Sequence, residues 1–211
     1  MNHRVGREAL VEAGRRLVAT GLSHGTSGNL SVRIPGGCLI TPTGIPWEKV
    51  GAEQIVALSG DGTPADSAGM PSSEWRIHRD IYLSRSDAGA VVHAHPPHAT
   101  AIACLRREIP AVHYMVAAAG GNTIRCAEYA PFGTPELSSN TLAALEGRDA
   151  CLLANHGMVA LGSDLTRALA LALEVERLAE VFGLALAAGA PVILDQAAMA
   201  EVLERYRTYK K

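Results

Sequence analysis

The hydrophobic positions along the chain fall into two spacings. Over residues 4 to 20, Leu10, Leu17 and Val18, with small Ala13 and Gly14, suit a helix that Gly21 ends. Leu30-Ser31-Val32-Arg33 reads as a short strand, Pro35-Gly36-Gly37 as a hairpin-type connection, and Cys38-Leu39-Ile40-Thr41 as the return strand. Ile55-Val56-Ala57-Leu58 is a further strand, closed by Gly60-Asp61-Gly62. A helix capped by Ser72 follows the polar loop 63–71 and runs to about Leu83. Next come the apolar run Val91-Val92-His93-Ala94-His95-Pro96, a helix from Pro97 to about Leu105, and another from Glu136 to Leu145. Ala150-Cys151-Leu152-Leu153-Ala154 is a fully apolar strand, and Met158-Val159-Ala160-Leu161 lies close behind it. Asp164 caps a long helix to about Ala188, with Leu165, Ala168, Leu169, Ala172, Val175, Ala179 and Phe182 on one face. A last helix spans Asp195 to about Tyr206. With no internal repeat and no low-complexity linker, the pattern predicts one α/β domain over residues 1–211, its helices covering a sheet that is at least partly antiparallel.

Composition narrows the function classes. Hydrophobic residues make up 48% of the 211 and charged ones 19%, enough for one sizeable core. A net charge of -2 with only short basic spots argues against nucleic acid or an anionic membrane as partner. No apolar run reaches the roughly 18–20 residues that span a bilayer, and no signal-peptide core follows Met1. Cys38, Cys104, Cys126 and Cys151 are far apart and read as thiols of a reducing compartment. A cytoplasmic location is expected.

The candidate chemistry starts at His93 and His95. Residues two apart on a strand share a face, so the two imidazoles project together. A third histidine, His156 in Asn155-His156-Gly157, follows another apolar strand about 60 residues later. One such histidine would be an ordinary loop residue. Three at strand ends form a plausible three-histidine metal site of the catalytic kind. Glu74 at a helix start is favoured by the helix dipole in any case, and His78, one turn on, can share its face. Thr26-Ser27-Gly28-Asn29, Thr41-Pro42-Thr43-Gly44 and Ser72-Ser73 are neutral turns whose N–H and hydroxyl groups suit a phosphate without a Walker-type lysine. Tyr114, beside His113, is ordinary packing unless a phenol proton donor is needed.

In their order and spacing, these motifs resemble the class II aldolase/adducin family, and the likeness runs on through 109–115, Ala118-Ala119-Gly120-Gly121-Asn122 and Tyr206-Arg207-Thr208-Tyr209. It covers nearly the whole chain. The resemblance implies a three-layer α/β/α fold around a central, mostly antiparallel sheet, in a cyclic homotetramer with active sites at subunit interfaces. It implies one Zn2+ per subunit bound by His93, His95, His156 and Glu74, with Glu74 also acting as acid/base. Gly28, Asn29, Thr43, Gly44, Ser72 and Ser73 would hold the phosphate of a phosphorylated sugar substrate. Tyr114 would serve a neighbouring subunit as proton donor, and Tyr209 would come from a mobile C-terminal tail.

The implied reaction is reversible cleavage of a ketose 1-phosphate to dihydroxyacetone phosphate and an aldehyde. The ketose would be L-fuculose 1-phosphate or a 5-deoxypentulose or 5-methylthioribulose 1-phosphate. Zinc acting as a Lewis acid for the enediolate removes any need for a Schiff-base lysine, and Lys49 is the sole lysine before the C-terminal pair. Two features depart from the pattern. The tail stops at Lys211, and Tyr206 stands where Phe is expected; with Phe132 it would line the aldehyde pocket. The alternatives on the same scaffold are a ribulose-5-phosphate 4-epimerase type, which tends to carry Asp where Glu74 stands, and a methylthioribulose-phosphate dehydratase type. A non-catalytic adducin-like binding domain is the reading from another class, and the retained histidines and Glu74 count against it.

Overall fold

A computed structural model describes residues 3–65 and 69–209, without the side chains of Arg207 and Tyr209. Seven strands form one sheet: β1 (Asn29–Ile34), β2 (Gly37–Ile40), β3 (Val56–Ser59), β4 (Ala90–Ala94), β5 (Cys126–Ala127), β6 (Ala150–Leu153) and β7 (Gly157–Gly162). Their order is β3-β2-β1-β4-β7-β6-β5. Every pairing is antiparallel except β5 with β6, which agrees with the expected mostly antiparallel sheet. The helices are α1 (Arg4–Ala19), α2 (Trp75–Ser84), α3 (Pro97–Cys104), α4 (Pro135–Ala144), α5 (Leu165–Ala188) and α6 (Gln196–Tyr209). No described helix is long and apolar enough to cross a membrane.

Side-chain alternation sorts the core into two layers. On one face Ala90, Val92, Ala94, Leu152, Met158 and Ala160 pack with residues of α1, α3 and α5, the large buried Phe182 among them. On the other, Val91, Val159, Cys151 and Leu153 pack with Ile77 and Ile81 of α2 and Leu137 of α4. Strand β4, central in the sheet, is buried along its whole length. That explains its unbroken apolar run, since both faces are covered. The long α5 starts as the sequence predicts, with the Asp164 carboxylate accepting the Arg167 N–H at 2.8 Å.

Two boundaries differ from expectation. Helix α2 begins at Trp75, so Glu74 and not Ser72 occupies the N-cap position. Ser72 is held one step earlier on the sheet rim: its N–H donates to the Thr41 carbonyl at 3.0 Å, and Pro71 bridges to Pro42. Its hydroxyl accepts the Glu74 N–H at 3.2 Å. Helix α6 runs on to Tyr209, past the expected end at Tyr206. It lies on the 3-10 helix Tyr114–Ala119, where Met199 packs with Ala111 and Ala117.

Candidate metal centre

Antiparallel pairing of β4 with β7 sets Ala94 opposite Met158, and therefore brings the turn before β7 to the end of β4. His93 points from β4 to the α2 face, His95 follows just beyond the strand, and His156 comes from the turn. Glu74 enters from the start of α2. The four donor atoms lie within 4.8 Å of one another. His93 Nε2 is 2.9 Å from His95 Nε2 and 3.0 Å from Glu74 Oε2, and His156 Nε2 is 3.4 Å from Glu74 Oε1.

The backbone aims these groups. His93 Nδ1 is 2.9 Å from the Met158 carbonyl oxygen, which can only accept, so the ring proton sits on Nδ1 and Nε2 of the neutral ring is bare. Gly157 is required by close approach: a Cβ there would meet the Ala94 carbonyl oxygen at 2.4 Å and the His95 ring at 2.7 Å. The turn itself is held by Asn155, whose φ of 54° is left-handed and whose side-chain oxygen accepts Arg106 Nε–H at 2.8 Å.

Electrostatics prepare the same atoms. Burial, then the positive ends of His93 and His156, pushes the His95 pKa down to about 3. Burial and His93 bring His156 to about 4. Both rings are thus neutral at neutral pH, each with one nitrogen free of a proton. His93 goes the other way: burial pulls it down, but the Glu74 charge and hydrogen bond raise it overall. Burial alone would raise Glu74, yet His93, His156 and the Asn29 amide together hold its carboxyl well below the usual carboxylate range. Glu74 Oε1 is buried and has no hydrogen-bond partner. Three imidazoles and a buried carboxylate with one unpartnered oxygen, their donor atoms within 4.8 Å of one another, fit a divalent cation, whose charge would satisfy all four donors.

Beside this cluster the structure gathers the three neutral turns. Gly28 sits against β4: with φ of 75°, a Cβ there would meet the His93 carbonyl oxygen at 2.7 Å and Ser23 Oγ at 2.6 Å. Thr43 donates its N–H to Met70, next to the Pro42–Pro71 bridge, so the Thr43-Gly44 turn lies alongside Ser72-Ser73. Thr43, Gly44 and Ser73 are exposed, whereas Ser72 and Asn29 are buried. The Asn29 side chain donates to Glu74 Oε2 at 3.0 Å.

The remaining residues are dispersed. Phe132, 68% exposed, is next to Gly133, which approaches the Ser73 carbonyl and accepts from Arg76, so it stands on the rim of the phosphate-type turns. Tyr114 is 52% exposed and rests on the His113 ring at 4.7 Å. Its neighbour Met115 lines a cavity of about 640 Å³ with Tyr206, Ala88 and Gly162. Ala88 and Gly162 mark the opposite end of β4 and β7, roughly 20 Å of extended chain from His95. Tyr206 lines that cavity, and Phe132 is not among its lining residues. The Tyr209 side chain lies outside the described residues.

The sequence places His78 on the face of Glu74 as a supporting residue, but the links that Asn29, Ser31 and Tyr82 make to it were missed. Their signal was present: Glu74, His78 and Tyr82 recur every four residues, and Asn29 and Ser31 stand two apart on a strand.

Residues 8–182 match the family described as Class II Aldolase and Adducin N-terminal domain. The chain belongs to the class II aldolase/adducin family. Within it, the chain is 51% identical over 203 residues to the 5-methylthioribulose-1-phosphate/5-deoxyribulose-1-phosphate aldolase of Rhodospirillum rubrum, covering 96% of this chain and 91% of that one. It is 49% identical over 201 residues to the L-fuculose phosphate aldolase of Escherichia coli K12, covering 95% and 93%. A solved L-fuculose 1-phosphate aldolase superimposes with a TM-score of 0.93 at 41% identity over 96% of each chain. This member of the class II aldolase/adducin family is a lyase, and its Glu74 and three histidines form the metal-type cluster of a metal-dependent enzyme family.

Proposed function

We propose that this lyase reversibly cleaves a ketose 1-phosphate to dihydroxyacetone phosphate and an aldehyde, with one zinc ion per subunit held by Glu74, His93, His95 and His156. The observation that carries the reading is the juxtaposition of that four-donor cluster with the phosphate-type turns, one of which, Ser72-Ser73, runs directly into Glu74. Three imidazoles and a carboxylate are a donor set that zinc takes. The ketoses named for the relatives in R. rubrum and E. coli, 5-methylthioribulose, 5-deoxyribulose and L-fuculose, all end in a carbon without a hydroxyl. The aldehyde released here would share that apolar end, and exposed Phe132 on the rim suits it.

The chain's own residues then take the following parts. Gly28, Asn29, Thr43, Gly44, Ser72 and Ser73 form the phosphate cradle. Since the Asn29 side chain is engaged with Glu74, the exposed Thr43 and Ser73 hydroxyls and the glycine backbones are its open groups. Bound zinc supplies Lewis acidity for the negative charge that builds on the dihydroxyacetone phosphate half as C3–C4 breaks. Glu74 moves the proton at the carbon of that half, and a phenol protonates or deprotonates the aldehyde oxygen. Tyr114 is that phenol and, with Tyr206 and Tyr209, acts from a neighbouring subunit. The placing of Tyr206 in a cavity that Phe132 does not line supports an interfacial site in a cyclic homotetramer, with the whole chain as one catalytic domain. A cytoplasmic setting suits the four free thiols.

The test is a coupled assay for dihydroxyacetone phosphate with fuculose, rhamnulose, ribulose, 5-deoxyribulose and methylthioribulose 1-phosphates, alongside metal analysis. Release from at least one ketose and about one zinc per chain are expected, with Glu74→Gln folding normally but losing on the order of 10²–10⁴ in kcat. Zinc-loaded protein that releases it from none would overturn the aldolase reading.

A further inference from the structure

A run of buried polar side chains leads away from the cluster along the α2 face of the sheet. Asn29 Nδ2 is 3.0 Å from Glu74 Oε2, and Asn29 Oδ1 is 2.5 Å from His78 Nε2. His78 Nδ1 is 2.6 Å from Ser31 Oγ, which is 2.7 Å from the Tyr82 hydroxyl. His78 and Ser31 are fully buried, and Asn29 and Tyr82 nearly so. Water is therefore not available to replace a lost partner, and each hydrogen bond constrains the next.

The proton positions follow from one end. An ionised Glu74 can only accept, so the Asn29 atom facing it is the amide nitrogen and the amide oxygen faces His78. That oxygen needs a donor, which puts the imidazole proton on Nε2. Nδ1 is then bare and accepts from the Ser31 hydroxyl, whose oxygen in turn accepts from Tyr82. Every donor points toward Glu74. Any other tautomer of neutral His78 sets two lone pairs against each other at 2.5 Å or turns the Asn29 carbonyl onto the carboxylate.

We propose that His78 is a positioning residue for Glu74: backed by Ser31 and Tyr82, it locks the Asn29 amide so that its N–H₂ holds Oε2 and leaves Oε1 as the oxygen that exchanges the substrate proton. The chain orients and does not conduct, because an amide between His78 and Glu74 carries no exchangeable proton from one to the other. Burial independently keeps His78 neutral, with a pKa brought down to about 3. The kinetic consequence rests on the aldolase reading above, whereas the tautomer does not.

Two measurements on the full-length zinc-loaded protein test it. The first is nitrogen-15 NMR of the histidine rings near neutral pH, with the His78 signals assigned by their loss in His78→Gln. A neutral His78 protonated on Nε2 is expected, and a proton on Nδ1 would overturn the proposal. The second is steady-state kinetics of His78→Gln, His78→Leu and Tyr82→Phe with zinc content measured in each. Gln can still donate to Asn29 and should lose about tenfold in kcat; Leu, which frees the amide, should lose about a hundredfold. KM and zinc content should stay near those of the parent. Tyr82→Phe, the variant least able to disturb folding, should lose a few-fold in kcat. Equal kcat in His78→Gln, His78→Leu and the parent would refute positioning, as would an unchanged kcat in Tyr82→Phe, while loss of zinc in step with kcat would assign the residue to structure alone. If the parent cleaves none of the ketoses but His78 carries its proton on Nε2, the aldolase reading fails and the orientation of Glu74 stands.

Discussion

The two faces of strand β4 solve different problems. Toward α1, α3 and α5 it presents Ala90, Val92 and Ala94, which pack into a large cluster of apolar side chains. Toward α2 it presents Val91 and then His93, flanked on β1 by Ser31 and Asn29. On the first face stability comes from area removed from water, which is non-directional and tolerates small adjustments. On the second, each buried polar group needs a particular partner atom, and the donors line up in one direction from Tyr82 to Glu74. The difference shows how one strand can serve as both scaffold and site: the apolar face fixes where β4 lies, and the polar face then fixes which atoms meet.

The sharpest way to break this division is to damage the apolar face and look for an effect at the site. Phe182→Ala removes a large, 1% exposed ring from the α5 layer. It should cost about 3–5 kcal/mol in denaturant unfolding while zinc uptake by the folded fraction is unchanged. Loss of zinc affinity in protein that is still folded would mean the two faces are not independent.

A smaller effect should come from acid acting on the polar face. In metal-free protein His78, His95 and His156 have their pKa values lowered to about 3, 3 and 4 by burial first. Between those values and the unfolded value of about 6.5, the unfolded chain binds more protons than the native one. Stability is therefore fully present above pH of about 6.5 and falls as the pH drops toward 3–4. His93, whose pKa is raised, opposes this, because its contribution is present at low pH and lost as pH rises. A net loss of stability between pH 7 and 5 is expected by chelator-treated thermal or urea unfolding. Unfolding insensitive to pH in that window would contradict neutral, buried imidazoles.

The smallest change sharpens the comparison at the edge of the apolar layer. Asp164→Ala deletes the cap of α5 and should cost about 1 kcal/mol without altering zinc content or cleavage. Any larger effect on cleavage would tie the start of α5 to the site.

Much of this was legible in the sequence because it is local. The period-two spacing placed His93 and His95 together, and their rings lie 4.8 Å apart. Apolar runs and turn residues marked nearly all the helices and strands. Where reading failed, a distant partner had intervened. Ser72 was expected as the helix cap, but its N–H is held by Thr41 on another strand, which moves the helix start to Trp75. Asn29 stood in a phosphate-type turn, yet its side chain turns inward to Glu74 and His78, 45 and 49 residues away.

By itself, then, the sequence determined the elements, the types of donor atom and which neighbours share a face, since those follow from backbone periods of two and 3.6 residues. Only the tertiary structure decided how closely His93, His95 and His156 meet Glu74, which oxygen of Glu74 is tied and which is open, and which end of the sheet holds Tyr206. Those choices depend on strand register, Asn29 opposite His93 and Ala94 opposite Met158. A shift of one residue would turn each side chain to the other face.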